Sequence, residues 1–392
     1  MLDNTVVNVA LPSMQRSLHL QVSELEWVVA GYALTFGAFM LTGGKLADLF
    51  GRRLMFVVGL LIFTGSSLAC GLAGSATILI AARVVQGLGA ALMNPSTLSI
   101  ITVTFPPRQR GAAIGIWAGV SALALAIGPL VGGVITQHVN WNWIFFINIP
   151  IGVIGVTAAF AFIDESRDTS TEQRPDIGGL ATSALGLFAL TYALIEANNY
   201  GWGSTRILVA FAIAALALIA FILLELHQRL PMLDLSLFRV PTMSPSLLAS
   251  MLQALANYAV LFLVIMYLQG PRGLTPIHAS LLLVPGYVIG GLIGPYGGRL
   301  ADRVAPALPA TLGLGIQVIA LLAYAQLSIS TGLWLVVAAS VVNGIGSGFF
   351  FPANNAAVMK AAPPRLFGIS SGVLRTFSNV GMVFSFAMAI LI

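Results

Sequence analysis

The sequence predicts an all-α polytopic membrane protein built from two pseudo-symmetric six-helix halves with a two-helix insert between them. Three observations carry that fold class. Charged residues are 8% of the chain and apolar residues 58%, against about 25% and 45–50% in soluble domains, so the chain cannot cover its own surface with polar groups in water. Apolar runs of about 20 residues, enough for a helix to cross a ~30 Å hydrocarbon core, follow one another along the whole sequence. Two motifs also occur twice, in the same order. Gly43-Gly-Lys-Leu-Ala-Asp48 returns 254 residues later as Gly297-Gly-Arg-Leu-Ala-Asp302. Ala81-Ala-Arg-Val-Val-Gln-Gly-Leu-Gly89 with Pro95 returns 257 residues later as Ala338-Ala-Ser-Val-Val-Asn-Gly-Ile-Gly346 with Pro352, and Gly111 and Gly115 fall on Gly368 and Gly372 at that second offset. Repetition on this scale is the internal symmetry of secondary transporters, so the chain is expected to move a solute.

Residues 1–14 are apolar but only ~20 Å long at 1.5 Å per residue, too short to cross a membrane. They lack a basic n-region and a small-residue cleavage site, so they read as part of a first helix and not as a signal peptide. Spans 27–49 and 53–72 flank a basic turn in which Gly51 stops the first helix. Span 76–98 carries Arg83 well inside it, and span 110–136 carries a small-residue stripe, Ala124, Gly128 and Gly132, with Pro129 removing a backbone donor. Span 143–163 completes the N-terminal half, residues 1–163. Residues 164–176 are charged and expected to be flexible. Spans 177–196 and 206–226 have no counterpart in the repeat, and a linker with three prolines follows, so 164–245 is the insert with its connections. Spans 245–268, 277–298, 308–327, 332–355 and 366–392 form the C-terminal half, residues 246–392. A fourteen-span arrangement then implies that both the start of the first helix and a final helix lie outside this sequence.

Charge sets the orientation. Alternate connections hold Lys45, Arg52, Arg53, Arg108, Arg110, Arg167, Arg174, Arg229, Arg239, Arg299, Arg303, Lys360 and Arg365; the other set holds only Arg16, Arg206 and Arg272. The positive-inside rule places the first set, with loops 45–53 and 164–176, in the cytoplasm of a multi-pass cell-membrane protein. The same bias accounts for the net charge of +5. The basic residues are dispersed in loops with no aromatic-basic patch, so no nucleic-acid partner is implied. The four histidines, His19, His138, His227 and His278, lie at span ends or in loops without a metal-ligand or triad pattern, so neither an enzyme nor a metal site is expected. Cys70 is alone, which excludes an internal disulfide.

Leu2-Asp-Asn-Thr-Val-Val-Asn-Val-Ala-Leu-Pro12, Gly44-Lys-Leu-Ala-Asp-Leu-Phe-Gly-Arg-Arg53, Arg83-Val-Val-Gln-Gly-Leu-Gly89 and Gly128-Pro-Leu-Val-Gly-Gly133 resemble motifs of the major facilitator superfamily, and specifically of its fourteen-span drug:proton antiporters. The resemblance runs through the chain in motif order. Leu49 and Asn142 stand where that family usually has arginine. It implies the major facilitator fold, alternating access, and export of drug or antibiotic-like molecules, with no cofactor because a proton gradient supplies the energy.

Coupling to protons needs an ionisable group inside the membrane. Of thirteen acids, only Asp3 falls away from loops and helix ends, and among the bases Arg83 and Arg375 lie deep in helices. A charge at the bilayer centre costs about 2.5–3.5 kcal/mol on insertion scales, so each is expected to face the interior and find a partner. Asp3 is assigned as proton carrier and Arg83 as its electrostatic tuner, the alternative being a static salt bridge. Gly44, Asp48 and Arg52 lie on one helix side, where a carboxylate can dock on another helix's N-terminus. With Gly51, Arg53 and the copied Asp302, the resemblance makes this a cytoplasmic latch. Gly128, Pro129, Gly132 and Gly133 are expected to let helices of opposite halves touch and seal against proton leak, a pattern that the resemblance associates with antiport. Asn8, Trp27, Tyr32, Phe36, Trp117, Gln253, Asn257, Tyr258, Tyr287 and Asn354, with Arg375, are the candidate cavity set, aromatic and amide side chains suited to a small lipophilic solute, neutral or weakly cationic. Protons, that solute and the lipid bilayer are then the partners of a monomer. A nutrient symporter or uniporter on the same fold would accumulate solute and lack the Gly-Pro seal. A membrane sensor or scaffold would need neither buried charge.

Overall fold

The computed structural model describes residues 2–389 except 168–175, 229, 230, 232 and 234; the side chains of Asn8 and Pro129 also lie outside the described ones. The described chain is helical nearly throughout. In order the helices are α1 (Leu2–Leu18), α2 (Val22–Phe50), α3 (Arg52–Gly71), α4 (Ala76–Thr104), α5 (Arg110–His138), α6 (Trp143–Phe146), α7 (Asn148–Phe162), α8 (Ile177–Tyr200), α9 (Thr205–His227), α10 (Met243–Gln269), α11 (Pro276–Arg303), α12 (Ala307–Tyr324), α13 (Trp334–Ala361) and α14 (Phe367–Ala389). Among the described residues, eleven stretches are long and apolar enough to cross a membrane, α6 and α7 together supplying one of them.

Local chemistry explains where the helices begin. Glu24 reaches back to the backbone N–H of Gln21 at 2.8 Å, a capping box for α2. Asp176, Ser204 and Thr275 each accept the backbone N–H three residues on, capping α8, α9 and α11. Prolines 95, 285, 295 and 352 sit inside helices, where each deletes one backbone donor. On α4, Ser96, Ser99 and Thr102 turn their hydroxyls onto the carbonyls of Leu92, Pro95 and Leu98, so buried polar atoms are satisfied within the helix.

The chain divides into two compact units, and both cut across sequence order. One combines 12–104, 141–255 and 361–392. Within it α4 packs against α2 and α3, and α2 also packs against α8 and α14. Glycines set the distances: a Cβ on Gly43 would meet the Ala91 carbonyl, one on Gly59 the Gly89 carbonyl and one on Gly44 the Gly368 carbonyl. The α8–α9 pair lies antiparallel on α2 through α8. On α9, Ile207, Ala210, Ala214, Ala217 and Phe221 are buried while Leu208, Ile213, Leu216, Ile219 and Leu223 are exposed, a helix with one packed stripe and one face left for lipid.

The other unit combines 1–11, 105–140 and 256–360. Its central contact is α5 on α11, where Gly111, Gly115 and Gly119 approach the carbonyls of Gly298, Gly294 and Gly291. The same face-to-face glycine packing joins α11 to α13, Gly286 to Ser340 and Gly297 to Gly348, and α12 to α13, Gly313 to Gly346. Without a hydrophobic force between helices in lipid, such close backbone packing is what holds them together.

Candidate functional site

The turn between α2 and α3 is held from three sides. Gly51 has φ +119°, and a Cβ there would run into the Glu165 carboxylate, so both its backbone and its surroundings require glycine. Glu165 in turn accepts the backbone N–H groups of Arg53 and Leu54 at 3.1 and 3.0 Å, satisfying the start of α3. Arg53 donates to the Ile163 carbonyl at 3.0 Å.

Asp48, 3% exposed, points away from that turn onto the first residues of α14. One oxygen accepts the Gly368 N–H and the other the Ile369 N–H, both at 2.8 Å. Arg52 donates to Asp48 Oδ1 at 2.9 Å and to the Pro364 carbonyl at 2.7 Å, so it ties the turn to the same helix start. Gly44 and Gly368 let the two backbones meet beside this carboxylate. The arrangement is an ionised side chain on a helix N-terminus, where unsatisfied N–H groups and the dipole both favour negative charge. Arg52 stands at the start of α3 and not on α2, yet reaches Asp48 because Gly51 folds the chain back.

The second copy makes the equivalent contact in the other unit. Asp302 Oδ1 accepts the Gly111 N–H at 2.7 Å and Oδ2 the Ala112 N–H at 2.9 Å, at the start of α5. Since Gly111 and Gly368 correspond in the repeat, one motif docks α2 on α14 and its copy docks α11 on α5.

Arg83 is 1% exposed on α4. It donates to the Val28 carbonyl at 3.0 Å and to Gln86 Oε1 at 2.6 Å, and its guanidinium lies 4.4 Å from the Tyr32 ring centre and 5.9 Å from that of Phe145. Gln86 donates to Ser67 Oγ at 3.2 Å, Asn148 does so at 2.9 Å, and Ser67 donates to the Phe145 carbonyl. A polar relay therefore runs from Arg83 through α3 to α7. Sequence reasoning missed Gln86, Ser67 and Asn148; the one signal was Gln86, a turn beyond Arg83 in a repeated motif. In the copy, Ser340 replaces Arg83, and Asn343 donates to Asn257 Oδ1 at 2.9 Å, so this half carries amides in place of charge.

Asp3 is 6% exposed on α1, in the other compact unit from Arg83. The Gly128–Gly133 stripe is in that same unit: a Cβ on Gly132 would come within 3.1 Å of Val6 on α1, while nothing lies within 4 Å of one on Gly133. Gly132 thus approaches a helix of its own predicted half. The close contact of α5 with α11 lies instead at its other end, through Gly111, Gly115 and Gly119. Gly128 is buried and the Pro129 side chain lies outside the described ones.

Several cavity candidates have described neighbours within their own unit. Trp27 lies 6.3 Å from Tyr192, and Tyr32 stacks on Phe36 at 5.6 Å. Asn257 joins Gln317 and Ser347 in an amide-hydroxyl network, and Tyr287 packs against the apolar cluster around Leu283 and Val336. Gln253 and Asn354 are buried; Trp117, Tyr258 and Arg375 are half-buried; the Asn8 side chain lies outside the described ones. Glu196 and Glu225 are buried as well, which the span-end reading of these two acids did not anticipate.

Comparison with known proteins agrees across the chain. The sequence profile described as Major Facilitator Superfamily matches residues 1–386. The chain is 34% identical over 382 residues to the tetracenomycin C resistance and export protein of Streptomyces glaucescens, covering 97% of this chain and 71% of that one. It is 32% identical over 388 residues to multidrug resistance protein Stp of Mycobacterium tuberculosis, covering 99% and 72%. The solved human organic anion transporter MFSD10 superposes with a TM-score of 0.67 at 12% identity, covering 99% of this chain and 89% of the other, a likeness of fold.

Proposed function

The chain belongs to the major facilitator superfamily, and from that premise we propose that it is a proton-coupled exporter of small lipophilic, drug or antibiotic-like molecules, working by alternating access. Membership makes it a polytopic membrane transporter, and its relatives' names point to transport and not catalysis. The proposal adds direction, coupling ion and solute class. The observation that carries it is the burial of Asp3 and Arg83 inside helices of a membrane protein. Such charges are costly in a bilayer, and where they occur they mark ion and substrate pathways.

In this reading Asp3 takes up and releases the proton, and Arg83 biases its charge state as the transporter changes conformation. The docks of Asp48 and Asp302 hold the cytoplasm-closed state, with loops 45–53 and 164–176 on the cytoplasmic side of the cell membrane. Gly132 against α1 keeps the proton-carrying helix tightly seated. The test is efflux of a panel of lipophilic neutral and monocationic compounds from energised vesicles, with and without a protonophore. Efflux that survives collapse of the proton gradient refutes the coupling; accumulation in place of efflux refutes the direction.

A further inference from the structure

At one end of the α8–α9 pair two buried carboxyl groups face each other. Asp176, just before α8, uses Oδ1 to accept the Gly179 N–H at 2.8 Å and the Gln228 side-chain amide at 3.0 Å. Glu225, on the last turn of α9, uses Oε2 to accept the Leu233 N–H at 2.8 Å. Their second oxygens, Asp176 Oδ2 and Glu225 Oε1, are buried and receive no donor among the described residues. Both crowd one point, the place a Cβ on Gly179 would occupy, so the glycine is what allows them to meet. The residues are 9% and 4% exposed.

Two ionised carboxylates cannot share a buried site without heavy repulsion, and each of these has one oxygen lacking the donor that burial demands. A protonated carboxyl supplies that donor: its O–H satisfies both oxygens at once. A hard metal cation fits less well, because calcium takes 6–8 oxygens, and among the described side chains here two carboxyl oxygens lack a donor. Lys45 on α2 donates to the Pro231 carbonyl at 3.2 Å, in the linker that follows α9. Lys45 and Asp176 are charged groups that bear on Glu225. His227 is exposed and turned to the Leu223 carbonyl, Asp48 is committed to α14, and Arg229 and Asp234 lie outside the described residues.

We propose that Asp176 and Glu225 form a proton-binding site, one proton being shared between Asp176 Oδ2 and Glu225 Oε1, and that Lys45 transmits its charge state to α2. Loss of the proton adds a negative charge beside Lys45 and strengthens its pull toward the pair, one turn before Asp48 on the same helix. The site is separate from Asp3 and does not depend on the solute proposed above.

Infrared spectroscopy of the purified protein, titrated from acid to alkaline pH, tests this without transport. A carboxylic-acid carbonyl band, displaced in heavy water, is expected at neutral pH in the wild type and lost in both Glu225→Gln and Asp176→Asn. Asparagine keeps the helix-capping oxygen, so Asp176→Asn retains its fold, and monodisperse elution checks both variants. Lys45→Gln should retain the band to more alkaline pH. An identical band in the wild type and both variants overturns the proton site. An unshifted titration in Lys45→Gln overturns the link to α2, and a band that follows added sodium, potassium or magnesium and not pH assigns the site to a cation.

Discussion

Arg83 shows how a buried charge is made tolerable inside a membrane helix. Among its partners the Val28 carbonyl and Gln86 are neutral, and the Tyr32 ring faces the guanidinium. A planar fork can serve a carbonyl, an amide oxygen and a ring together, which an ammonium cannot. Arg83→Lys should therefore lose at least one charged-group hydrogen bond, typically about 1.5–3 kcal/mol, and gradient-driven efflux should fall about tenfold or more. Full activity in Arg83→Ala would make the residue dispensable to coupling. Asp3→Asn keeps shape and removes the titratable proton, so it should abolish gradient-driven efflux from vesicles while leaving membrane insertion unchanged. That Arg83 and Asp3 would be buried was legible from their place in apolar runs. The relay through Gln86, Ser67 and Asn148 was not, because amides and serines in a helix carry no signal of which helix they will touch. Glu225 was hidden for another reason: a helix-end acid reads as solvated until a linker folds over it.

At the level of elements, the useful unit is a helix end meeting a helix start. Asp48 presents two oxygens to two N–H groups, so Asp48→Asn keeps one acceptor and turns an NH2 donor against a donor. Leaving that contact broken costs about 1–3 kcal/mol. It should shift the inside-to-outside labelling ratio of a reporter cysteine toward cytoplasm-open by roughly 5–150-fold. An unchanged ratio removes Asp48 from conformational control. The Gly44–Asp48–Gly51 pattern was readable as a docking device, but its partner, 320 residues away at Gly368, was not, since only the fold brings the start of α14 to it. Gly132 carries the complementary lesson. Its smallness was legible, its neighbour was not: Val6 of α1 occupies the space expected of an opposing half. Gly132→Val should overpack α1 by about 1–3 kcal/mol, retaining solute binding in detergent while losing coupled efflux or leaking protons in proteoliposomes. Normal, proton-tight transport would reduce the stripe to ordinary packing.

Across the whole molecule, the repeat is expressed as contacts and not only as letters. The motif ending at Asp48 docks on the helix that opens with Gly368, and its copy ending at Asp302 docks on the helix that opens with Gly111. Each of these contacts pairs one predicted half with the other, which is why the compact units gather α2 with α14 and α11 with α5 instead of following the chain. A sequence repeat shows that two halves share a fold, and leaves open how they exchange helices. The two docks share no residue, and if both secure the same cytoplasm-closed state their free energies should add, as independent sites do to within about 0.3–0.5 kcal/mol. The labelling shifts of Asp48→Asn and Asp302→Asn should then multiply in the double variant. Among the described residues no arginine bonds Asp302 as Arg52 bonds Asp48, so its single variant should shift the ratio less. A double variant no further open than Asp48→Asn alone would mean that the α11–α5 contact stays intact in both states and serves as a fixed joint, leaving a single moving dock between α2 and α14.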